Sequence, residues 1–408
     1  MKRRLVLVLV AVLAGGTGAV RAESGHEPGH EPGPEPGPVV EAVNADELLK
    51  ALPVLTPVER KLKLLRRAQD QIVRGRGEAA EEQRHILGAM EALFDSPDYW
   101  RLFTPGDASA IAAYGLSGGR PDVVERAAQQ ASITARDRQL LQGVAYYARG
   151  LIAEAAGKLK DLTTEGYPAL LAGQIAMVQG LVLDDGDYVR RVLLLDKAMN
   201  SVPGTMVEEA ALRRLVVLAA VKGDAAVFVS AARRYGMRFG SSLYAQEFHD
   251  SLAVSISRLF GRGLDAAAAD LVLAREPQSQ RALIYVALAR LGIAMGRTDL
   301  CLYGGRHALR LLPEQTPPAR QALLYVLACR VVSGDTVAAA ELADMTNTAL
   351  NRDEAALLER ARRMASAIAA PPQAAGAAVL DKGPGDELAA LGATALAEAA
   401  AQLAKVTP

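Results

Sequence analysis

In TPVERKLKLLRRAQDQIVRGRG, residues 56–77, the positions Leu62, Leu65, Gln69 and Ile72 fall three and four apart, and charged residues fill the gaps. That spacing gathers one face of an α-helix. Thr56 is a good N-cap, Pro57 suits the first helical position, Glu59 completes a capping box, and Gly75 and Gly77 end the helix. The next stretch, EAAEEQRHILGAMEALF, places Ile86, Leu87, Met90, Leu93 and Phe94 on one face and predicts a second helix. Together they read as a helical hairpin. The same unit then recurs, with candidate turns at Gly119, Gly150, Gly186, Gly223, Gly263, Gly296 and Gly334, at intervals of 31, 36, 37, 40, 33 and 38 residues. A period in the thirties, with a Gly-Asp-like turn between two Ala/Leu-rich helices, is the mark of a tetratricopeptide-type or related repeat. SVPGTMVEEAALRRLVVLAAVKGD, residues 201–224, is the best-patterned unit. There Pro203-Gly204 stops one helix and Thr205 with Glu208 reads as a second capping box. Leu212, Leu215, Val216 and Ala219 form the packing stripe, and Gly223-Asp224 makes the turn.

Composition agrees with helix. Half of the 408 residues are hydrophobic but only 4% are aromatic, and β-branched runs are scarce, which disfavours strands. The fold expected is all-α, a tetratricopeptide-like α-solenoid of antiparallel helix pairs; an irregular all-α domain is the alternative. Five segments are expected. Residues 1–22 read as a signal peptide, with a basic start (MKRR), an apolar stretch too short to span a bilayer comfortably, and Val20 and Ala22 at the cleavage positions. An uncleaved anchor is the alternative there. Residues 23–54 are a Pro/Gly-rich tether, 55–370 the helical-repeat domain, 371–385 a linker, and 386–408 an Ala-rich C-terminal helix and tail.

Charge balances at 46 basic against 46 acidic residues, which argues against a nucleic-acid binder. Losing Lys2, Arg3, Arg4 and Arg21 with the signal tips the exported chain slightly acidic. Little else suggests chemistry. His26 and His30 lie in the tether, and His85, His249 and His307 are scattered singly, which reads as surface. The two His-Glu-Pro-Gly units invite a metal reading through His26 and His30, but ordering two histidines in a flexible strand costs chain entropy, so a spacer is expected; the other histidines form no such pair, and no nucleophile elbow or phosphate loop occurs. The carboxylate pairs Glu81-Glu82, Asp184-Asp185 and Glu208-Glu209 sit at helix starts or turns, where they complement the helix dipole without the burial that acid–base work needs. No catalytic residue, cofactor or metal is expected.

Cys301 and Cys329 lie equally far from the centre of the loop LPEQTPPA, so an antiparallel hairpin brings them to one height. A disulfide between them is geometrically open in an oxidising compartment, with two buried free thiols as the alternative. Arg233, Arg234, Tyr235, Arg238 and Phe239 form the densest mix of arginine and aromatics, a candidate partner-binding patch or else core. Tyr99, Trp100 and Phe103 carry the same two readings.

The signal peptide together with LLRRAQDQIVRGRGEAAEEQRHILGAM, IAAYGLSGGRPDVVERA and PGTMVEEAALRRLVVLAAVKGDAAVFVSAARRYGMRFGSSLYAQEF resembles the MotC family of periplasmic motility proteins. The likeness runs over about residues 55–260 and is strongest at 203–248; the tether and the low aromatic content depart from it. The resemblance implies a periplasmic accessory of the flagellar motor that associates with the periplasmic part of the stator protein MotB, and it brings no catalytic residues. The other readings are a general periplasmic adaptor in envelope or polysaccharide assembly and, third, a solute-binding or hydrolytic protein. A ligand-sized apolar pocket with converging polar groups would favour the third.

Overall fold

The computed structural model describes residues 55–348 and 350–370. The expected signal peptide, tether, linker and C-terminal helix lie outside the described residues. Among those described there are eighteen α-helices and no strand.

The first two helices, α1 (Pro57–Val73) and α2 (Glu78–Asp95), pack together as the expected hairpin. The Thr56 cap forms as its sequence requires. Thr56 Oγ1 accepts from the Glu59 amide at 3.3 Å, and the Glu59 carboxylate accepts from the Thr56 amide at 2.8 Å. Leu62, Leu65, Gln69 and Ile72 are buried as a stripe. Gly75 ends the helix at φ +81°, and a Cβ on it would stand 2.3 Å from the Ser241 carbonyl oxygen. That glycine serves twice, for its left-handed backbone and for the close approach of α1 to a distant loop. The Leu243 amide, in the same loop, donates to the Ile72 carbonyl at 3.3 Å.

The short helix α3 (Pro97–Arg101) carries Tyr99 and Trp100 into the core, where they pack with Phe94 and, through it, Tyr114. Trp100 Nε1 donates to the Phe94 carbonyl at 2.7 Å, so the buried indole keeps a partner. These aromatics cement the first hairpin to the helix that carries Tyr114.

Consecutive pairs then run along the chain: α4 (Asp107–Leu116) with α5 (Pro121–Ala128), α6 (Ala135–Ala148) with α7 (Ile152–Leu159), α8 (Ala169–Val182) with α9 (Tyr188–Ser201), and α10 (Met206–Lys222) with α11 (Ala225–Phe239). Then come α12 (Ala245–Leu259) and α13 (Ala266–Leu273), of which α13 packs on α11, and the pair α14 (Gln278–Ala294) with α15 (Thr298–Leu311). Short connections between partners make the pairs antiparallel. The chain is an all-α helical-repeat solenoid.

At Gly150, Gly223, Gly263, Gly296 and Gly334 the expected turns adopt positive φ. Asp224, Asp265 and Asp335 then cap the following helices through the amides of Val227, Ala268 and Ala338. Two turns differ. Gly118 rather than Gly119 takes the left-handed conformation, and Gly119 lies against the Tyr114 ring, 2.4 Å from where a Cβ would sit. Around Gly186 the chain forms a short 3-10 turn, Asp185–Asp187, with no left-handed glycine.

Across pairs, α8, α10, α12 and α14 pack one upon the next, and α4 packs on α6 and α8. α1 lies against both α4 and α10. The first helix therefore meets elements far along the chain, and this arrangement leaves a cavity between them.

Within the expected helical-repeat domain, residues 55–370, the chain divides into two compact units between Ala322 and Leu323, inside α16 (Pro317–Val332). In the second unit α17 (Thr336–Asp344) packs on α18 (Arg352–Ala369). Arg362 there donates to the carbonyls of Leu342, Ala343 and Met345, a cation placed at the C-terminus of a helix. Asn351 and Glu354 form a capping box that opens α18.

Candidate functional site

The expected capping box at Thr205 does not form. Thr205 Oγ1 donates instead to the Val202 carbonyl at 2.7 Å, and no side chain caps α10. Glu208 turns inward, fully buried, and accepts from the Gly204 amide at 2.5 Å. Its other oxygen accepts from Arg234 at 2.7 Å, and Arg238 stands 3.3 Å from the oxygen that Gly204 binds. Glu209 is also fully buried, 3.0 Å from Arg213, and accepts from the Tyr235 hydroxyl at 2.8 Å. The reading of Glu208-Glu209 as a solvated pair is thus overturned. A buried carboxylate is tolerated only when paired and hydrogen-bonded, and α11 supplies the partners from residues 234, 235 and 238.

This divides the arginine–aromatic patch. Tyr235 and Phe239 are core residues at 0% and 2% exposure, and Tyr235 stacks on Phe248 with ring centroids 3.7 Å apart. In this packing neither reaches a partner. Arg234 and Arg238 neutralise Glu208, and Arg234 also donates to Asn200 at 3.2 Å. Arg233 is half-buried and has no ion pair among the described residues, while Met237 beside it is exposed. Of the five patch residues Arg238 is exposed and Arg233 and Arg234 are half-buried, and with Met237 they leave polar and apolar surface for another molecule.

His249 also departs from the sequence reading. It is buried, and its Nε2 lies 2.7 Å from Glu276, likewise buried. The two residues are 27 apart in sequence, so no local pattern announces the pair. His85 is exposed and His307 half-buried, as expected of scattered histidines.

Cys301 is buried in α15 of the first unit and Cys329 is buried in α16, on the second unit's side of the division. Neither is a free thiol. Among the described residues no group of three or more His, Cys, Asp or Glu side chains is placed to hold a metal ion, and no helix is long and apolar enough to cross a membrane.

One feature the sequence does not announce is a half-open cavity of about 460 Å³ inside the first unit. It is bounded by Gln69 of α1, Leu116 and Ser117 at the end of α4, Gln174 and Met177 of α8, Arg213 and Arg214 of α10, and Tyr244 and Glu247 at the start of α12. Arg213 is fully engaged. It bonds Glu209 behind it and Glu247 at 2.8 Å, and its guanidinium lies 5.0 Å above the Tyr244 ring. Burial alone would lower the Arg213 pKa, but Glu209 and Glu247 more than offset this and raise it. Glu208 and Glu209 do not line the cavity, so they hold α10 to α11 and do not face a ligand.

The profile of the family described as Chemotaxis protein MotC matches residues 1–407. A curated relative, the chemotaxis protein MotC of Rhizobium meliloti (strain 1021), is 27% identical over 320 residues, 78% of this chain and 73% of that protein. No solved structure matches the chain. An all-α repeat whose best-defined polar clusters are spent on packing helices, together with a family profile that matches almost every residue, leads to one conclusion: the chain belongs to the MotC family of chemotaxis proteins.

Proposed function

We propose that this protein is an exported, non-enzymatic accessory of the flagellar motor. It binds the periplasmic part of the stator protein MotB and supports or tunes rotation. The observation that carries this reading is the family match over residues 1–407, which includes the N-terminal segment read as a signal peptide. Stacked helix pairs suit the role, because they present a rigid surface on which many weak contacts add up. The contact surface we assign is the exposed side of α11, at Arg233, Met237 and Arg238. Arginine and methionine are both enriched at protein interfaces.

The test has two arms. Cells lacking the gene are expected to assemble flagella yet swim poorly; normal swimming would reject the motor role. The purified chain is expected to capture the periplasmic domain of MotB, and Arg233→Glu with Met237→Glu is expected to weaken capture by about tenfold or more. These two positions are chosen because neither pairs with the buried Glu208 or Glu209. Tyr235, or Arg234 with Arg238, would be poor probes, since their loss strips the partners from Glu208 and Glu209. Capture that the double variant leaves intact would move the interface off α11.

A further inference from the structure

The cavity among α1, α4, α8, α10 and α12 has a property that packing alone does not explain. Arg214 lines it, half-buried, and makes no hydrogen bond or ion pair among the described residues. No carboxylate near it forms an ion pair with it. Glu247 is committed to Arg213, and Asp250 is exposed at the rim, where it accepts from Gln246 at 3.1 Å. Burial lowers the pKa of Arg214, with Arg213 adding to it, against the pull of Tyr147 and Glu247. A guanidinium still holds its charge at neutral pH, so the cavity wall includes a partly desolvated cation.

Beside it is a second unfilled valence. Gln174 is only 4% exposed, and its Nε2 donates to Ser117 Oγ at 3.2 Å while its Oε1 has no partner. The remaining walls include Leu116, Met177, Leu181 and Val217. Methionine adapts its shape to irregular apolar ligands. A volume near 460 Å³ falls within the range of roughly 300–1,000 Å³ usual for small-molecule sites.

We propose that this cavity binds a small monocarboxylic acid with an apolar body, its carboxylate on Arg214 and its hydrocarbon against Leu116, Met177, Leu181 and Val217. Arg214 supplies the fork that matches a carboxylate. The rim acids Glu247 and Asp250 disfavour a second negative charge, which selects against dicarboxylates and phosphates. The site is independent of MotB binding, and either reading stands if the other fails.

Sodium octanoate serves as the probe, titrated calorimetrically into the purified full chain, with 1-octanol and suberate as its uncharged and doubly charged counterparts. Octanoate is expected to bind once per chain, with 1-octanol and suberate each at least about tenfold weaker. Arg214→Gln is expected to cost octanoate about tenfold or more while leaving 1-octanol unchanged, the loss typical of a charged hydrogen bond. Val217→Trp, which fills the cavity, is expected to abolish both. Absence of saturable octanoate binding would overturn the proposal. So would equal affinity for octanoate and 1-octanol, or undiminished octanoate binding by either variant. If Arg214→Gln fails to fold, the octanoate-to-octanol ratio and Val217→Trp still decide.

Discussion

Glu209 stands in the first turn of α10, where a carboxylate normally faces water and complements the helix dipole. Here it faces α11, and burial pushes its carboxyl above the usual glutamate range, against the pull of Arg213 and the Tyr235 hydroxyl. The unfolded chain carries the same group near pKa ~4.3. A raised folded pKa means that the folded protein takes up this proton first. Its contribution to stability is therefore fully present below about pH 4.3 and is lost as pH rises through the folded value. Glu209→Gln lacks this titration. The variant's Tm relative to wild type is therefore expected to be highest near pH 7 and to decline toward pH 4.5, as read by thermal melts across that range. The opposite trend would mean that Arg213 and Tyr235 hold the carboxylate ionised more strongly than burial opposes it. EEAALRR supplies Arg213 but does not signal the burial; the other partner of Glu209, Tyr235, stands a helix away.

Helices in this protein meet at small residues, and the closest meeting is α14 on α15. A Cβ on Gly304 would lie 2.6 Å from both the Ala289 amide nitrogen and the Tyr285 carbonyl oxygen, and one on Gly292 would lie 2.4 Å from the Cys301 nitrogen. Each glycine lets the other helix's backbone approach. Gly304→Ala is expected to destabilise by about 1–3 kcal/mol, because backbone must move to admit the methyl. Gly157, exposed within α7 with nothing inside 4 Å of its would-be Cβ, provides the contrast. Gly157→Ala is expected to stabilise by about 0.5–1 kcal/mol through helix propensity alone. Urea melts of both variants would measure the difference; equal effects would show that the close approach is not under load. The sequence marks both positions as glycine and distinguishes neither, since what differs is the element lying opposite.

For the whole molecule, the repeat of helix, glycine turn and capped helix was readable along the chain, and five of the seven expected turns took the left-handed glycine. The division at Ala322–Leu323 was not, because α16 runs through it without a break in pattern. The disulfide expected between Cys301 and Cys329 belongs to this scale. Under non-reducing conditions neither cysteine is expected to take up an alkylating reagent until a reductant is added, and the intact mass should then rise by two labels. Labelling of both thiols without reduction would overturn the bridge.

Sequence by itself determined the helices, their caps at Thr56, Asp224, Asp265 and Asp335, and the array of pairs, because these depend on contacts within about one helical turn. It also carried the family resemblance, strongest in the segment from Pro203 to Phe248. Tertiary structure alone decided that Glu208, Glu209 and His249 are buried, that Tyr235 and Phe239 are core, and that Arg214 has no ion pair among the described residues. Those outcomes depend on which helix lies across from which. α1 packed against α10 brings Gln69 to the same cavity as Arg214, across more than a hundred residues of chain, and no local pattern encodes that meeting.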